Sequence, residues 1–366
     1  MTTAVDAELA RTLRGELAAN LEAAGHDPAW VKAVREVPRH LFVPGFHTQD
    51  ANYRWSRIGP DDDAYLSTVY SDRALTTQRD GDEPTSSSSE PSLMLTMLEA
   101  LDIRPGHRVY ECGTGTGWNA ALLAHRFGDA GVTTVDVDPE LTRAAVAHLT
   151  LAGYHPLVHT GDGVAGLPEH GPYDRFIATC RMRAIPWAWV EQCADEAVMV
   201  APIGWGLARI TVENDRAHGR FLPDGAYFMP RRGDAAGSRF DGPDKGSPTT
   251  TSVSVTGLLD RLAFPLSLAL PSHNTCTWYD DTGSDTAVGI WTPDGSTATA
   301  GVDGSVRQTG PRRLWDMVEK LDSLFPTAPC RADFGLTITR DRQRVWWRAE
   351  DGPGWDLPTG SRRGVT

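Results

Sequence analysis

Between residues 90 and 210, short apolar runs alternate with helix-length segments, and this alternation constrains the fold more than any other feature of the chain. RVYEC, VTTVDVD, PLVHT, YDRFIATC and AVMVAPIG read as buried strands, while AALLAHRFG, LTRAAVAHLTLAG and IPWAWVEQCA read as helices. Strands and helices alternating at this spacing imply right-handed crossovers and an α/β, doubly wound, mostly parallel Rossmann-like sheet. In such a sheet the carboxyl ends of the strands hold the ligand.

Glu111-Cys-Gly-Thr-Gly-Thr-Gly117 closes a buried strand and opens a helix. Gly113, Gly115 and Gly117 allow close approach to the backbone around Thr114. The spacing is GxGxG rather than the GxGxxG dinucleotide fingerprint, and no Lys follows, which excludes a P-loop for a triphosphate. The next strand ends in Asp136, followed by Val137, about 20 residues on, where an acid can grip both hydroxyls of a ribose. Asp162 follows the third strand between Gly161 and Gly163, again at the carboxyl edge, where a carboxylate can accept from an exocyclic amine. Together these residues describe one nucleoside-shaped groove.

Before this core, Leu9, Leu13, Leu17 and Leu21 mark a helix face, and Asp27-Pro28 starts a second helix with Val31 and Val34 inward. VPRHLFVPG reads as an extended or tightly turned piece. Residues 59–90 are rich in Gly, Pro, Asp, Ser and Thr, so irregular backbone is expected, and a loop this long is more often functional than incidental. It ends in TSSSSEP, after which Leu93, Met94, Met97, Leu98 and Leu101 form a helical stripe with Pro91 in the first turn. Residues 233–250 are polar and read as a linker between a first domain, 1–232, and a C-terminal α+β domain, 251–366.

Composition narrows the function classes. The chain has 366 residues, 40% hydrophobic and 23% charged, enough for two domains with real cores. A net charge of −13 opposes binding to a phosphate backbone, so no nucleic-acid partner is expected. No apolar stretch reaches the ~20 residues of a membrane span and the N-terminus carries no apolar signal core, so a cytoplasmic protein without a membrane partner is expected. The five cysteines are odd in number and never in CxxC spacing, arguing for reduced thiols. His40, His125, His148, His155 and His159 have no paired spacing, so no metal site is expected. Arg181 and Arg183, after the fourth strand, suit either a clamp for an acidic peptide or a solvated surface. Trp346 and Trp347 are neighbours in a hairpin-like strand, so at most one is expected to pack inward.

VPRHLFVP, SEPSLMLTMLEALDIRPGHRVYECGTGTGWNAALLA, VDVDPEL, GDGVAGLPEHGPYDRFIAT and IPWAWVEQ with VAPIG occur in the order and spacing of a known family. Over about residues 35–230 the chain resembles the S-adenosylmethionine-dependent methyltransferases, specifically the protein-L-isoaspartate O-methyltransferases. The resemblance implies a methyltransferase sheet using S-adenosylmethionine and releasing S-adenosylhomocysteine. It implies that Glu111, Gly113, Gly115 and Gly117 line the methionine end of the cofactor, that Asp136 holds the ribose and that Asp162 sits near the adenine. It also places Ser89 at the family's active-site serine, with Ser87, Ser88 and Glu90 beside it on the substrate side; Ser88 and Glu90 stand where the family carries Ile and Gln. Ser89 would orient one oxygen of a substrate carboxylate, a task that suits a hydroxyl donor. The bland alternative is that Ser89 or Glu90 merely caps the helix at Pro91.

The long C-terminal part looks like extended family members that tailor ribosomally made peptides such as lasso peptides, lanthipeptides and graspetides. That likeness implies methylation of an Asp side chain in a constrained peptide and closure of the ester to an aspartimide, with the C-terminal domain recognising the peptide. Two alternatives stand beside it: repair of isoaspartyl residues in damaged proteins, and a non-catalytic cofactor-binding partner protein.

Overall fold

The computed structural model describes residues 4–213, 216–232, 240 and 246–358. The chain divides into two compact units: Met1–Cys180 with Ile185–Ala201 and Arg209–His218, and Arg181–Ala184 with Pro202–Ala208 and Gly219–Thr366. This division is discontinuous and falls at 218 rather than at the expected 232. Of the expected linker, only residue 240 and residues 246–250 lie within the described residues.

The first unit opens with helices α1 (Ala4–Ala23) and α2 (Pro28–Glu36). Asp27 caps α2 as expected, its carboxylate accepting from the Ala29 and Trp30 amides at 2.7 and 3.3 Å. The α1 stripe is buried only at its C-terminal end: Leu17 and Leu21 are covered, whereas Leu9 is exposed. Beyond a 3₁₀ turn at Arg39–Leu41 come β1 (Phe46–Gln49), β2 (Trp55–Ile58), α3 (Tyr65–Val69), β3 (Leu75–Asp80) and β4 (Glu83–Ser88). The strands form an antiparallel sheet in the order β2-β1-β3-β4.

Residues 59–90 are therefore not the irregular loop expected. β3 supplies β-branched residues in LTTQ, and its Leu75 and Thr76 pair in register with Ser88 and Ser87. The serine run adopts a strand's period of two, with Ser86 and Ser88 buried and Ser87 and Ser89 half-exposed. Serine carries no apolar alternation, so its strand is set by its partner.

Helix α4 (Pro91–Ala100) buries Met94, Leu95, Met97 and Leu98. The core alternation follows as β5 (Val109–Cys112), α5 (Trp118–Phe127), β6 (Val132–Asp136), α6 (Pro139–Ala152), β7 (Leu157–Thr160), β8 (Tyr173–Ala178), α7 (Trp187–Glu191) and β9 (Cys193–Ile203). These strands are parallel in the order β7-β6-β5-β8-β9. The order runs outward in both directions from β5 and β8, which makes the crevice beyond their carboxyl ends the topological switch point. Tyr110, Tyr173, Phe176 and Trp189 pack beneath this crevice with ring centroids 5.2–6.0 Å apart. The Tyr110 hydroxyl and Trp189 Nε1 both donate to the Gly163 carbonyl, at 2.8 and 2.9 Å, so the apolar core also fixes the turn after β7.

Strands β10 (Gly206–Glu213) and β11 (Arg216–Gly225) carry the chain into the second unit. There β12 (Thr249–Thr250), α8 (Leu258–Ala269), β13 (Asn274–Tyr279), β14 (Asp285–Trp291), β15 (Thr297–Gly301) and β16 (Ser305–Thr309) precede α9 (Leu314–Leu324), β17 (Phe334–Ile338), β18 (Gln343–Trp347) and β19 (Gly354–Leu357). β12-β16-β15-β14-β13 is an antiparallel sheet, and β17, β18 and β19 pair antiparallel. Phe334 is fully buried against Phe264, Phe325 and Trp355. Of the two tryptophans of β18, Trp346 is buried and donates from Nε1 to Thr337 Oγ1 at 3.0 Å, while Trp347 is half-exposed and packs edge-on to Phe325. Among the described residues no helix is long and apolar enough to cross a membrane.

Phe334 is the hub of the second unit's aromatic core. Phe334→Ala is expected to lower the unfolding free energy by about 3–5 kcal/mol, measured by urea titration with tryptophan fluorescence; a loss below ~1 kcal/mol would remove that role.

Candidate functional site

At the end of β5, Glu111 turns inward and is fully buried. Its carboxylate accepts from Asn119 Nδ2 at 2.7 Å and from Thr134 Oγ1 at 2.6 Å, and the Thr134 hydroxyl also bonds the Thr114 hydroxyl at 2.7 Å. One carboxylate thus ties β5, the glycine loop, α5 and β6 together. Burial pushes Glu111 up to about 7, against the pull of its Thr134 and Asn119 donors and with a smaller push from Asp136.

The glycines divide by task. Gly113 and Gly115 are half-exposed with φ of 106° and 52°, which leaves their backbone open at the crevice. A Cβ on Gly113 would sit 2.5 Å from Thr179 Oγ1, the hydroxyl that donates to the Gly113 carbonyl at the end of β8. Gly117 is buried, and its Cβ would stand 3.2 Å from that of Ala145, so it serves the packing of α5 on α6. Gly163 is also buried, with Cys112 Sγ 2.5 Å from where a Cβ would be. Of the residues expected to line the groove, Glu111, Thr114, Gly117 and Gly163 are buried behind it, and Gly113, Gly115, Asp136, Val137 and Asp162 form its rim.

On that rim, the half-exposed Asp136 accepts from the Gly115 amide at 2.9 Å and the Asp138 amide at 3.1 Å. Val137 beside it is 48% exposed, an apolar surface at the crevice. Asp162 is exposed and accepts from the Val164 amide at 3.2 Å. Asp138 caps α6 and also accepts from Gln78 of β3 at 2.9 Å, joining the serine sheet to the nucleoside side of the groove.

The serine strand meets the glycine loop directly. A Cβ on Gly115 would lie 3.5 Å from the Ser87 carbonyl oxygen and 3.8 Å from Ser86 Oγ. Ser88, expected on the substrate side, is instead buried with its hydroxyl accepting from Arg39 Nε at 3.2 Å. Ser89 is half-exposed; its carbonyl accepts from Arg39 Nη2 at 2.9 Å, and among the described residues its hydroxyl has no partner. Nor does Ser89 cap α4. The N-cap position is Glu90, whose side chain makes no cap bond and accepts instead from Ser92 Oγ, while Asp72 takes the Ser92 amide at 2.9 Å.

Arg39 organises this edge. Fully buried, it makes six hydrogen bonds: to the carbonyls of Val69, Ser71, Arg73, Ser88 and Ser89, and to the Ser88 hydroxyl. Its guanidinium lies 5.1 Å from the ring centre of Trp118, the first residue of α5. Burial lowers it to about 10, opposed by Asp72, Tyr70 and Glu90, so it stays charged at neutral pH. Sequence reading passed over it, although an arginine inside the apolar VPRHLFVP was the available signal. Asn119, Thr134 and Asp72 were also missed, since each contributes through a partner distant in sequence.

Arg181 and Arg183 belong to the second unit, where Arg183 donates to Ser272 Oγ at 3.1 and 2.7 Å and Arg181 lies over the Tyr227 ring. His40, His125 and His148 bond the Tyr70 hydroxyl, the Tyr154 hydroxyl and the Thr116 carbonyl.

Residues 14–221 match the family described as Protein-L-isoaspartate(D-aspartate) O-methyltransferase (PCMT). The chain is 35% identical over 147 residues to a protein-L-isoaspartate O-methyltransferase of Fervidobacterium nodosum, covering 37% of this chain and 74% of that protein. It is 35% identical over 187 residues to the Methanococcoides burtonii protein of the same name, covering 50% of this chain and 80% of that protein. A solved protein-L-isoaspartate O-methyltransferase structure aligns over 92% of this chain and 100% of its own, with a TM-score of 0.55 and 21% identity, a likeness of fold.

Two outcomes follow from the buried charges. Arg39→Met leaves several carbonyls unpaired and is expected to cost at least about 3 kcal/mol in urea unfolding. Arg39→Lys keeps the charge without the planar fork, and should lower the maximal rate with little change in cofactor affinity; loss of both together would assign Arg39 to general stability alone. Glu111 binds its proton more tightly folded than unfolded, so its contribution favours the fold below pH ~4.5 and turns against it as pH rises towards 7. Glu111→Gln should therefore flatten the fall in stability between pH 5 and 7.5, followed by urea midpoints, and an unchanged slope would assign that fall to other groups.

Proposed function

Since this chain belongs to the protein-L-isoaspartate O-methyltransferase family, an S-adenosylmethionine-dependent family of carboxyl methyltransferases, we propose that it methylates the side-chain carboxylate of an Asp in a constrained, ribosomally made peptide. The ester would then close to an aspartimide as the following backbone nitrogen attacks the carbonyl and methanol leaves. The observation that carries carboxylate methylation is Ser89: its carbonyl is fixed by Arg39 while its hydroxyl points to no partner among the described residues. Such a donor can orient one carboxylate oxygen.

The groove suits the cofactor. Asp136, already set by two amides, has lone pairs left for a ribose diol; Val137 offers a face to the adenine, Asp162 can accept from its amino group, and Gly113 and Gly115, half-exposed and without side chains, let the amino-acid end approach the loop closely. When bound, S-adenosylmethionine supplies an already activated methyl group. A carboxylate is already nucleophilic at neutral pH, so the chain's own contribution is in-line positioning and exclusion of water, with no general base required.

Glu90 supports the peptide-tailoring form of this reading. It sets an acid beside Ser89 where the related pattern carries a neutral amide, a change that alters which residue is admitted. Repair of isoaspartyl residues is the second reading, favoured by the fold likeness across 92% of the chain, since a second unit is then not peculiar to peptide tailoring. Incubation with an isoaspartyl peptide and with a constrained Asp peptide, followed by mass spectrometry, separates them: the first reading expects methyl gain and then net loss of water on the constrained peptide, and turnover of the isoaspartyl peptide alone would overturn it. Ser89→Ala is expected to lower kcat/KM roughly 10- to 100-fold at unchanged cofactor affinity; an unchanged rate would remove the role given to Ser89.

A further inference from the structure

Arg181, in the second unit, is a half-buried cation without an anion. Its guanidinium lies 5.8 Å from the ring centre of Tyr227, and among the described residues it has no hydrogen-bond or ion-pair partner. Burial lowers its pKa, and only Tyr227 opposes this. None of its nitrogens is buried without a partner, so the guanidinium still reaches solvent and is open to an incoming anion.

Its surroundings form a cup. Trp205 meets Tyr227 edge-on at 6.0 Å and lies 5.8 Å from His273. Tyr227 is 72% exposed, so its ring is accessible to a ligand beside Arg181. His273 is buried and held below its usual range, at about 4, mainly by burial; it is therefore neutral at physiological pH and does not compete with Arg181 for an anion. Its Nε2 has no partner among the described residues. Arg183 lies two residues on, and the Arg231 amide donates to the Arg181 carbonyl at 3.2 Å, so three arginines gather here in a chain of net charge −13.

We propose that Arg181, Trp205 and Tyr227 form a recognition subsite for a carboxylate side chain of the peptide substrate, distinct from the carboxylate that receives the methyl group. The guanidinium pairs with the acid in the bidentate manner that suits it, and the two rings flank the peptide backbone. The choice of ligand rests on the carboxyl-methyltransferase reading, so binding rather than turnover is measured and the two can fail separately.

The probe is a fluorescein-labelled short peptide whose central residue is either Asp or Asn, titrated by anisotropy. Wild type is expected to bind the Asp peptide about tenfold more tightly than the Asn peptide. Arg181→Gln should erase that difference by weakening the Asp peptide alone, and Arg181→Lys should restore part of it. S-adenosylhomocysteine affinity and Tm, read on both variants, should not move. Equal loss for both peptides, no loss, no measurable binding of either peptide, or competition by inorganic phosphate beyond that of chloride at equal ionic strength would each overturn the proposal.

Discussion

The buried guanidinium of Arg39 is the interaction on which the active edge depends. Six hydrogen bonds to one side chain join the end of α3, the turn at 71–73 and the end of β4, and its planar face rests near Trp118 where α5 leaves the glycine loop. The carbonyls it satisfies lie at the ends of α3 and β4 and in the turn between α3 and β3, where regular hydrogen bonding runs out. A buried cation is an expensive way to pair carbonyls, and an apolar residue of similar size would remove all six of these bonds. What the charge provides is geometry: the Ser89 backbone is held from behind while its hydroxyl is left free.

Glu111 does for the nucleoside side what Arg39 does for the serine side. It too is buried, uses both oxygens on side-chain donors from other elements, and braces a loop whose open face lies elsewhere. Gly113 is kept a glycine by Thr179, which leaves no room for a side chain, and Gly115 by its left-handed backbone at φ 52°, since a Cβ there would only touch Ser87 at 3.5 Å. The two sides meet at Gly115, whose amide donates to Asp136 and whose Cα faces the end of β4. Gly115 therefore touches both the serine strand and Asp136.

The parallel sheet and most of the groove rim were legible in sequence because each rests on local pattern. Buried strands read as apolar runs, α2 announced itself through Asp27-Pro28, and Asp136 was found by its place at a strand end. The serine strand was not legible, since hydroxyls carry no hydrophobic alternation and β4 exists through pairing with β3. Glu111 was assigned to the groove because a motif gives position along the chain but not the direction in which a side chain points. Likewise Ser88 and Ser89, adjacent in sequence, face opposite ways on a strand, so only one of them can reach a substrate.

The competing explanation for Ser89 was that its hydroxyl serves the helix behind it. Asp72 takes the Ser92 amide and Glu90 occupies the cap position with its carboxylate turned to Ser92 Oγ, so the helix start is satisfied without Ser89. The same arrangement sets two carboxylates near the point where an anionic substrate must arrive, which raises the electrostatic cost of approach. Arg39 lies close enough to both acids to be stabilised by them, and its charge in turn offsets theirs. A reaction between a carboxylate and an activated methyl group needs that balance more than it needs a base: the nucleophile arrives already ionised, and the protein must tolerate its charge while holding it in line.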